Sequence, residues 1–374
     1  MLFSTRVLGV DMGSITAQSY SRAANNDTTT FSPAVSNAAA FVFFQSLLNL
    51  AGEHGAPIFC HDKFPTRKLN VYPAYKEARF QRYKDAIANL NLIDPELGKH
   101  ETPPQAEPSV FQQFRTALNP ILKTLPAVHA YSFGEEADDT LFTMAVHVSH
   151  SGTKVSVYSR DTDMMQICAL PLCRLILKKG ANPAKIIQEH DVTNQYGVRA
   201  DQVALYKAFL GDNGDSIPGM GTMHSKYVIS DIIGNRTTVD EVYDAWNNGD
   251  INYDKWHKGW YEIFEHHLGY RLAEELDDQG NYVQLLERGT GQAFINEKLA
   301  RLNPDCNIVY EYYTGDYMAF EAQYNALAGT MARHLPAVDV WNKMVSFAKV
   351  TLAVFEKGAI PLNVVESELS TNLI

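Results

Sequence analysis

Short apolar runs alternate with longer amphipathic stretches through the first two hundred residues of the chain. The runs at 6–10, 57–60, 128–132, 155–159 and 174–177 are rich in Val, Ile, Leu and aromatic residues and predict β-strands. Between the first two, residues 38–51 place Phe41, Phe43, Phe44, Leu47, Leu48 and Leu50 so densely that a buried helix is expected. The alternation predicts an α/β fold, a mostly parallel central sheet with helices on both faces. From about residue 235 the pattern changes to aromatic-rich stretches read as helices, with Trp246, Trp256, Trp260, Tyr310, Tyr312, Tyr313, Tyr317 and Phe320. Core packing is the expectation for these rings, and Tyr310, Tyr312 and Tyr313 as a base-stacking platform is the alternative.

Carboxylates follow each of the first four strands: Asp11, then Asp62, then Glu136, Asp138 and Asp139, then Asp161 and Asp163. Ligands of open α/β sheets bind outside the carboxyl ends of the strands, so these groups are expected to converge on one crevice. A lone Asp in such a place serves equally well as a helix N-cap, and acids in a first turn complement the helix dipole. Capping needs one group per helix, however, and the third and fourth strand ends carry more. Crowded carboxylates with no His or Cys among them suit a hard cation, Mg²⁺ or Mn²⁺ rather than zinc. Two such ions about 4 Å apart stabilise both the attacking and the leaving oxygen of a phosphodiester displacement, which puts phosphoryl chemistry first.

Composition first opposes and then supports that reading. The 374 residues hold 32 Lys and Arg against 43 Asp and Glu, a formal charge of -11, which taken alone argues against a nucleic-acid partner. The excess is uneven: residues 1–200 carry 19 basic and 18 acidic groups, residues 201–374 carry 13 and 25. Setting aside the seven strand-end acids leaves the first half at 19 against 11, a balance compatible with tracking phosphates. Past Asp62, Lys63, Arg67, Lys68, Lys76, Arg79, Arg82 and Lys84 stand against Glu77 alone, with Tyr72, Tyr75 and Tyr83 interleaved. In the run 74–85, Lys76, Arg79 and Tyr83 fall on one face of a predicted helix. Cations among aromatics suit unpaired bases. The Pro-rich connection at 94–108 is longer than most loops, so the basic insertion reads as a gate over a metal site. The four cysteines (Cys60, Cys168, Cys173, Cys306) lack zinc spacing and read as reduced thiols. With no signal-peptide pattern and no uninterrupted apolar span, a cytoplasmic protein without a membrane partner is expected, a monomer.

These residues resemble the flap endonuclease and 5'-3' exonuclease superfamily, particularly its bacteriophage and bacterial members. Glu136-Ala137-Asp138-Asp139 followed by Ser159-Arg160-Asp161-Thr162-Asp163 is similar to the family's paired acidic motifs. The stretch from Tyr196 to Val203 and then Gly211-Asp212-Asn213-Gly214-Asp215-Ser216-Ile217-Pro218-Gly219 resembles its Gly-Asp signature, and Tyr72-Pro73-Ala74-Tyr75-Lys76-Glu77-Ala78-Arg79 the start of its helical arch. The resemblance covers about residues 6–230 and implies a role for each position. Asp11, Asp62, Glu136 and Asp138 would hold one Mg²⁺, and Asp161, Asp163, Asp212 and Asp215 a second, with Asp139 between them and Mn²⁺ as a substitute. Lys76 and Arg79 would contact the scissile phosphate, completing a catalytic set with Asp11, Asp62 and Asp161. Arg67, Lys68, Tyr75 and Arg82 would face the DNA at the gate, and Gly219, Gly221 and Lys226 would grip a duplex phosphate. The family's K⁺ ion at that last loop is opposed by His224, which stands where a glycine is usual.

The domains implied are an α/β nuclease core at 1–195 with an arch at about 63–110, a helix-three-turn-helix-like duplex-binding region at 196–262, and a helical C-terminal extension at 263–374. The expected substrate is DNA with a 5' flap, nick or end, or an RNA-DNA hybrid, with replication proteins as partners. Three alternatives stand beside it: a PIN-like RNA nuclease, a catalytically inactive DNA-junction binder, and a sugar kinase suggested by Gly9-Val10-Asp11-Met12-Gly13-Ser14.

Overall fold

A computed structural model describes residues 6–25, 31–76, 109–178, 184–215, 217–221, 225–269, 273–276, 282–285 and 291–366. The chain divides into two compact units, one of Met1–Phe64, Asp85–Ile187 and Asn303–Ile374, the other of Pro65–Lys84 and Gln188–Leu302. The chain thus passes between units at 64/65, 84/85, 187/188 and 302/303, whereas the sequence reading kept the arch with the core and put domain ends at 195 and 262.

Unit 1 holds, in chain order, β1 (Arg6–Asp11), α1 (Met12–Ala23), α2 (Pro33–His54), β2 (Ala56–Cys60), α3 (Val110–Lys123), β3 (Ala127–Ser132), α4 (Ala137–His150), β4 (Lys154–Ser159), β5 (Cys173–Leu177), β6 (Lys185–Ile187), β7 (Ile308–Tyr313), α5 (Tyr317–Ala328), α6 (Ala337–Gly358) and β8 (Asn363–Val365). The strands form one sheet in the order β8-β7-β3-β2-β1-β4-β5-β6. β1 to β5 pair in parallel throughout, β7 runs antiparallel to β3, and β6 antiparallel to β5. The chain leaves β1 toward β2 and β3 on one side and returns to β4 on the other, so the strand order reverses beside β1 and opens a crevice at its carboxyl end.

The expected strands form because their positions are buried on both faces, as covered parallel strands require: all of Ala56–Cys60 is buried, as are residues 7–10. The helix α2 extends the apolar stretch read from the sequence. By length and mean hydropathy it matches a membrane span, yet Phe43, Phe44, Leu47 and Leu48 lie in the core of unit 1 with Tyr20, Phe114, Phe320 and Tyr324. A correction concerns the C-terminal part. Residues 308–313, expected to be helical, form β7, because they pair antiparallel along the whole of β3, Ile308 with Ser132 through Tyr313 with Ala127, and bury Tyr310 at the middle of the pair. Tyr310 is buried with its ring against Phe355, so the core expectation holds for it and a stacking role does not.

Unit 2 is mainly helical, with helices Thr66–Val71, Glu189–Tyr196, Val203–Leu210, Val239–Asn247, Lys258–Leu268 and Gln292–Ala300, and one hairpin of Ala273–Leu276 with Tyr282–Leu285. Its core gathers Phe209, Ile232, Val242, Phe264 and Phe294. A smaller cluster joins Tyr75 to Ile217 and Leu299.

Candidate functional site

In unit 1 the site is built on Asp11. As the last residue of β1 and the N-cap of α1, it accepts hydrogen bonds from the Ser14 amide (2.9 Å) and the Ser14 hydroxyl (2.5 Å). A third comes across the strand reversal from the Ser159 hydroxyl at the end of β4 (2.9 Å). The two serines also receive the next backbone: the Arg160 amide donates to Ser14 Oγ and the Asp161 amide to Ser159 Oγ, both at 3.1 Å. One hydroxyl pair therefore fixes the ends of β1 and β4 and orients the carboxylate between them. Capping and site-building prove to be the same act here, since Asp11 does both.

Asp62 follows β2 and accepts the Ala137 amide (3.1 Å) at the start of α4, and Arg115 of α3 pairs with it at 3.3 Å. The gap between the two acids is occupied by Gly13, where an added Cβ would lie 3.0 Å from Asp62 Oδ2 and 3.3 Å from Asp11 Oδ1. Burial, and then the negative charge of Asp62, raise the Asp11 carboxyl to about 6. Two carboxylates crowded around a hydrogen side chain, with only the partly exposed Arg115 beside one of them, fit a hard divalent cation by both donor chemistry and charge.

The other strand-end acids follow β3 and β4. Glu136 caps α4, and Asp138 and Asp139 lie in its first turn. Asp139 is fully buried and accepts the Asn303 amide (2.9 Å), while the Asn303 side chain donates to Glu135 (3.0 Å). After β4, Asp161 accepts the Asp163 amide (2.9 Å), and Asp163 begins a short 3-10 helix, Asp163–Ala169, with its own side chain buried. Unit 1 thus brings all seven expected carboxylates to the carboxyl ends of its parallel strands.

Unit 2 carries the remaining acids on a tight turn. Asp212 and Ile217 exchange backbone hydrogen bonds at 2.9 Å, and Asp212 Oδ1 accepts the Gly214 amide (2.8 Å). The turn needs Gly211 and Gly219 to touch: Gly211 has φ 77°, and a Cβ on Gly219 would lie 2.1 Å from the Leu210 carbonyl oxygen. Each acid of this turn has a lysine. Lys207 meets Asp212 at 2.7 Å, and Lys76 meets Asp215 at 3.5 Å. Although burial opposes it, the Lys207 ammonium and the backbone donors hold the Asp212 carboxyl below its usual value.

The expected helical position of Lys76 is corrected. It ends a turn at φ 50°, nearly buried, with its amide donating to the Asp215 carbonyl oxygen (3.2 Å) and its ammonium 4.8 Å from the Tyr75 ring. Arg67 donates to the Lys298 carbonyl oxygen (3.3 Å), and Lys68 is buried with its ammonium 5.8 Å from the same Tyr75 ring. Lys226 is exposed over Tyr227, and Gly221 is open at φ 68°. Arg79, Arg82 and His224 lie outside the described residues, as does most of the expected arch. The sequence reading did not single out Ser14, Arg115, Lys207 or Asn303 as partners of the acids. The Ser at i+3 of Asp11 was the one local signal available.

Comparison with known proteins now bears on this geometry. The 5'-3' exonuclease, N-terminal resolvase-like domain matches residues 6–197, more than half of the chain. DNA polymerase I of Bacillus caldotenax is 28% identical over 171 residues, covering 44% of this chain and 17% of that protein. A 5'-3' exonuclease of Halalkalibacterium halodurans is 26% identical over 151 residues, covering 40% and 48%. The chain thus spans less than half the length of these curated relatives. Among solved structures, the bacteriophage T5 flap endonuclease in a complex with DNA and metal ions is 16% identical at a TM-score of 0.44, covering 94% of this chain and 100% of that one.

Proposed function

The chain belongs to the family of the 5'-3' exonuclease N-terminal, resolvase-like domain, and on that premise we propose that it is a Mg²⁺-dependent 5' nuclease. Its substrate is a DNA strand, or an RNA primer on DNA, cut at a 5' end or flap. The observation that carries the reading is the crowding of Asp11 and Asp62 around Gly13 at the strand reversal, where burial and then the Asp62 charge lift the Asp11 carboxyl and a hard cation would offset both.

Asp11, Asp62, Glu136, Asp138, Asp139, Asp161 and Asp163 are proposed as metal ligands in unit 1, and Asp212 and Asp215 as metal ligands from unit 2. Two divalent ions, when bound, supply charge stabilisation to the attacking and leaving oxygens of the phosphodiester. The protein's own residues do the rest. Ser14 and Ser159 hold the Asp11 carboxylate in one orientation, so that no reorganisation is needed when charge develops. Lys76 and Arg79 are proposed to contact the scissile phosphate, and Gly219, Gly221 and Lys226 the duplex backbone. A Lys76 ammonium must leave Asp215 to reach a phosphate, so its ion pair describes the protein without substrate.

The test uses end-labelled 5'-flap, nicked, blunt and RNA-primed substrates with Mg²⁺, and sizes the products. Cleavage near the single-to-double-strand junction is expected, falling by at least about 10²-fold in Asp161→Asn and in Asp212→Asn while binding without metal persists. Cleavage retained in both variants ends the reading. Junction affinity equal with and without Mg²⁺, and no cut in any flap, identifies an inactive binder instead.

A further inference from the structure

Beside the acids of unit 1 lies a surface that the proposed chemistry does not use. Phe133 is 71% exposed, a large apolar ring left in water one residue past β3. A lone exposed Phe is ordinary, but this one is held rigidly. It is the second residue of a turn in which the Glu135 amide donates to the Ser132 carbonyl oxygen (3.3 Å) and Gly134 adopts φ 82°. Neighbours fix both ends of that turn. The Lys63 amide donates to the Glu135 carbonyl oxygen (3.2 Å), and the Ser132 hydroxyl to the Asn307 carbonyl oxygen (3.0 Å).

Around the ring, aromatics and cations alternate. Tyr131 meets Phe133 edge to face at 5.3 Å, and the Lys63 ammonium lies 4.2 Å from the Tyr131 centroid and 5.4 Å from that of Phe133. Lys123 approaches Tyr313 at 5.9 Å on the adjoining strand. Among the described residues of this face, Glu311 accepts the hydroxyls of both Tyr131 (2.9 Å) and Tyr313 (3.0 Å), and its single negative charge stands against the two lysines. Positive charge continues toward the acids, since Arg115 pairs with Asp62 at 3.3 Å. Chain geometry ties the surface to the acids, since Lys63 directly follows Asp62 and Phe133 stands three residues before Glu136.

We propose that Phe133, with Tyr131 and Lys63, is a stacking platform for an unpaired base of the 5' strand of a tailed nucleic acid, with Lys63 and Lys123 facing its phosphates. The 5' polarity rests on the nuclease reading above; the single-strand specificity rests on the exposed ring and its cations. Stacking is sequence-tolerant because every base has a π-face, so the platform selects for unpaired strand rather than for sequence.

The test measures affinity without divalent metal, for duplexes bearing a 5' tail, a 3' tail or no tail, with 2-aminopurine placed at successive tail positions. Phe133→Ala is expected to weaken 5'-tailed binding about tenfold and to abolish the fluorescence change at one tail position. Blunt binding and melting temperature should stay constant, and Phe133→Trp should restore the tailed affinity. The proposal is overturned by equal losses on tailed and blunt duplex, by an unchanged tailed affinity in Phe133→Ala, or by a wild type that gains nothing from a tail. Mg²⁺-dependent cleavage of a tailless nicked duplex by wild type reports separately on the nuclease reading, so a failure there with tail binding intact leaves the platform standing without its 5' polarity.

Discussion

The carboxylates of unit 1 and those of unit 2 look alike in the sequence and meet opposite surroundings in the fold. Asp11 is held by two hydroxyls and an amide, and burial first and the Asp62 charge second raise its carboxyl to about 6. Asp212 and Asp215 each face a largely buried lysine, and the Asp212 carboxyl is lowered. An Asp11 surrounded by neutral donors and a second acid carries a repulsion that a cation would relieve. Asp212 and Asp215 have carboxylate oxygens within 4.8 Å of each other, but their two ammoniums already offset part of that repulsion, and an ion arriving there competes with the lysines. Counting acids therefore does not reveal where a metal is most strongly demanded; the signs of the neighbours do.

The sharpest way to break this contrast is pH. Asp11 has a folded value raised from 3.8 to about 6, so the folded state gains protons more readily than the unfolded one. Its destabilising contribution, from burial first and the Asp62 charge second, is fully present above about 6 and is relieved as pH falls from there toward 3.8, by up to about 3 kcal/mol, an upper bound because the residue keeps some exposure. Asp212 has the opposite sign: its stabilisation is present above 3.8 and is lost as pH falls through its lowered folded value. Metal-free protein should accordingly melt at a higher temperature at pH 5 than at pH 7.5, and Asp11→Asn should remove that gain. A melting temperature that is flat over this window in the wild type, or a gain that survives in Asp11→Asn, would mean that the Asp11 pair is not strained.

Gly13→Ala separates the metal demand from the fold. The residue sits in the first turn of α1, where replacing Gly by Ala favours a helix by about 0.5–1 kcal/mol. The added methyl would lie 3.0 Å from one carboxylate oxygen and 3.3 Å from another, filling the space between the acids. Calorimetric titration with Mn²⁺ should show about tenfold weaker binding, while the melting temperature holds or rises by a few degrees. Undiminished Mn²⁺ affinity would place the ion away from Asp11 and Asp62.

Much of this was legible beforehand because buried parallel strands are continuous apolar runs and their carboxyl ends are marked by acid. The first five strands fall where the pattern put them, and so do the acids that follow them. The strands of the C-terminal part were not legible, since β8 has three residues and the aromatics of β7 can be read as helical periodicity just as well. Partners of the acids escaped for another reason. Asn303 reaches Asp139 across 164 residues and Ser159 reaches Asp11 across 148, and no local spacing encodes such pairs. Lys76 shows local pattern overridden by tertiary structure. Its helical spacing to Arg79 is real, yet the hydrogen bond its amide donates to the Asp215 carbonyl oxygen and the packing of Tyr75 against Ile217 hold it in a left-handed turn.

Arg115 tests whether Asp62 belongs with the relieved acids after all. It pairs with Asp62 at 3.3 Å, as Lys207 pairs with Asp212 at 2.7 Å, but both partners keep about a third or more of their side chains in water, 31% and 41%. Exposed pairs of this kind contribute about 0.2–1 kcal/mol, and salt screens them. Arg115→Ala should therefore lower stability by no more than about 0.5 kcal/mol, a difference that vanishes at about 1 M salt. It should also strengthen Mn²⁺ binding by less than about threefold, because one competing cation is gone. Paired chemical melts of the two proteins at low and high salt give the first number, and calorimetry the second. A loss of about 2 kcal/mol or more that persists in salt would show Arg115 neutralising Asp62 as fully as Lys207 neutralises Asp212, and the demand for a cation would then fall on Asp11 and the acids after β3 and β4.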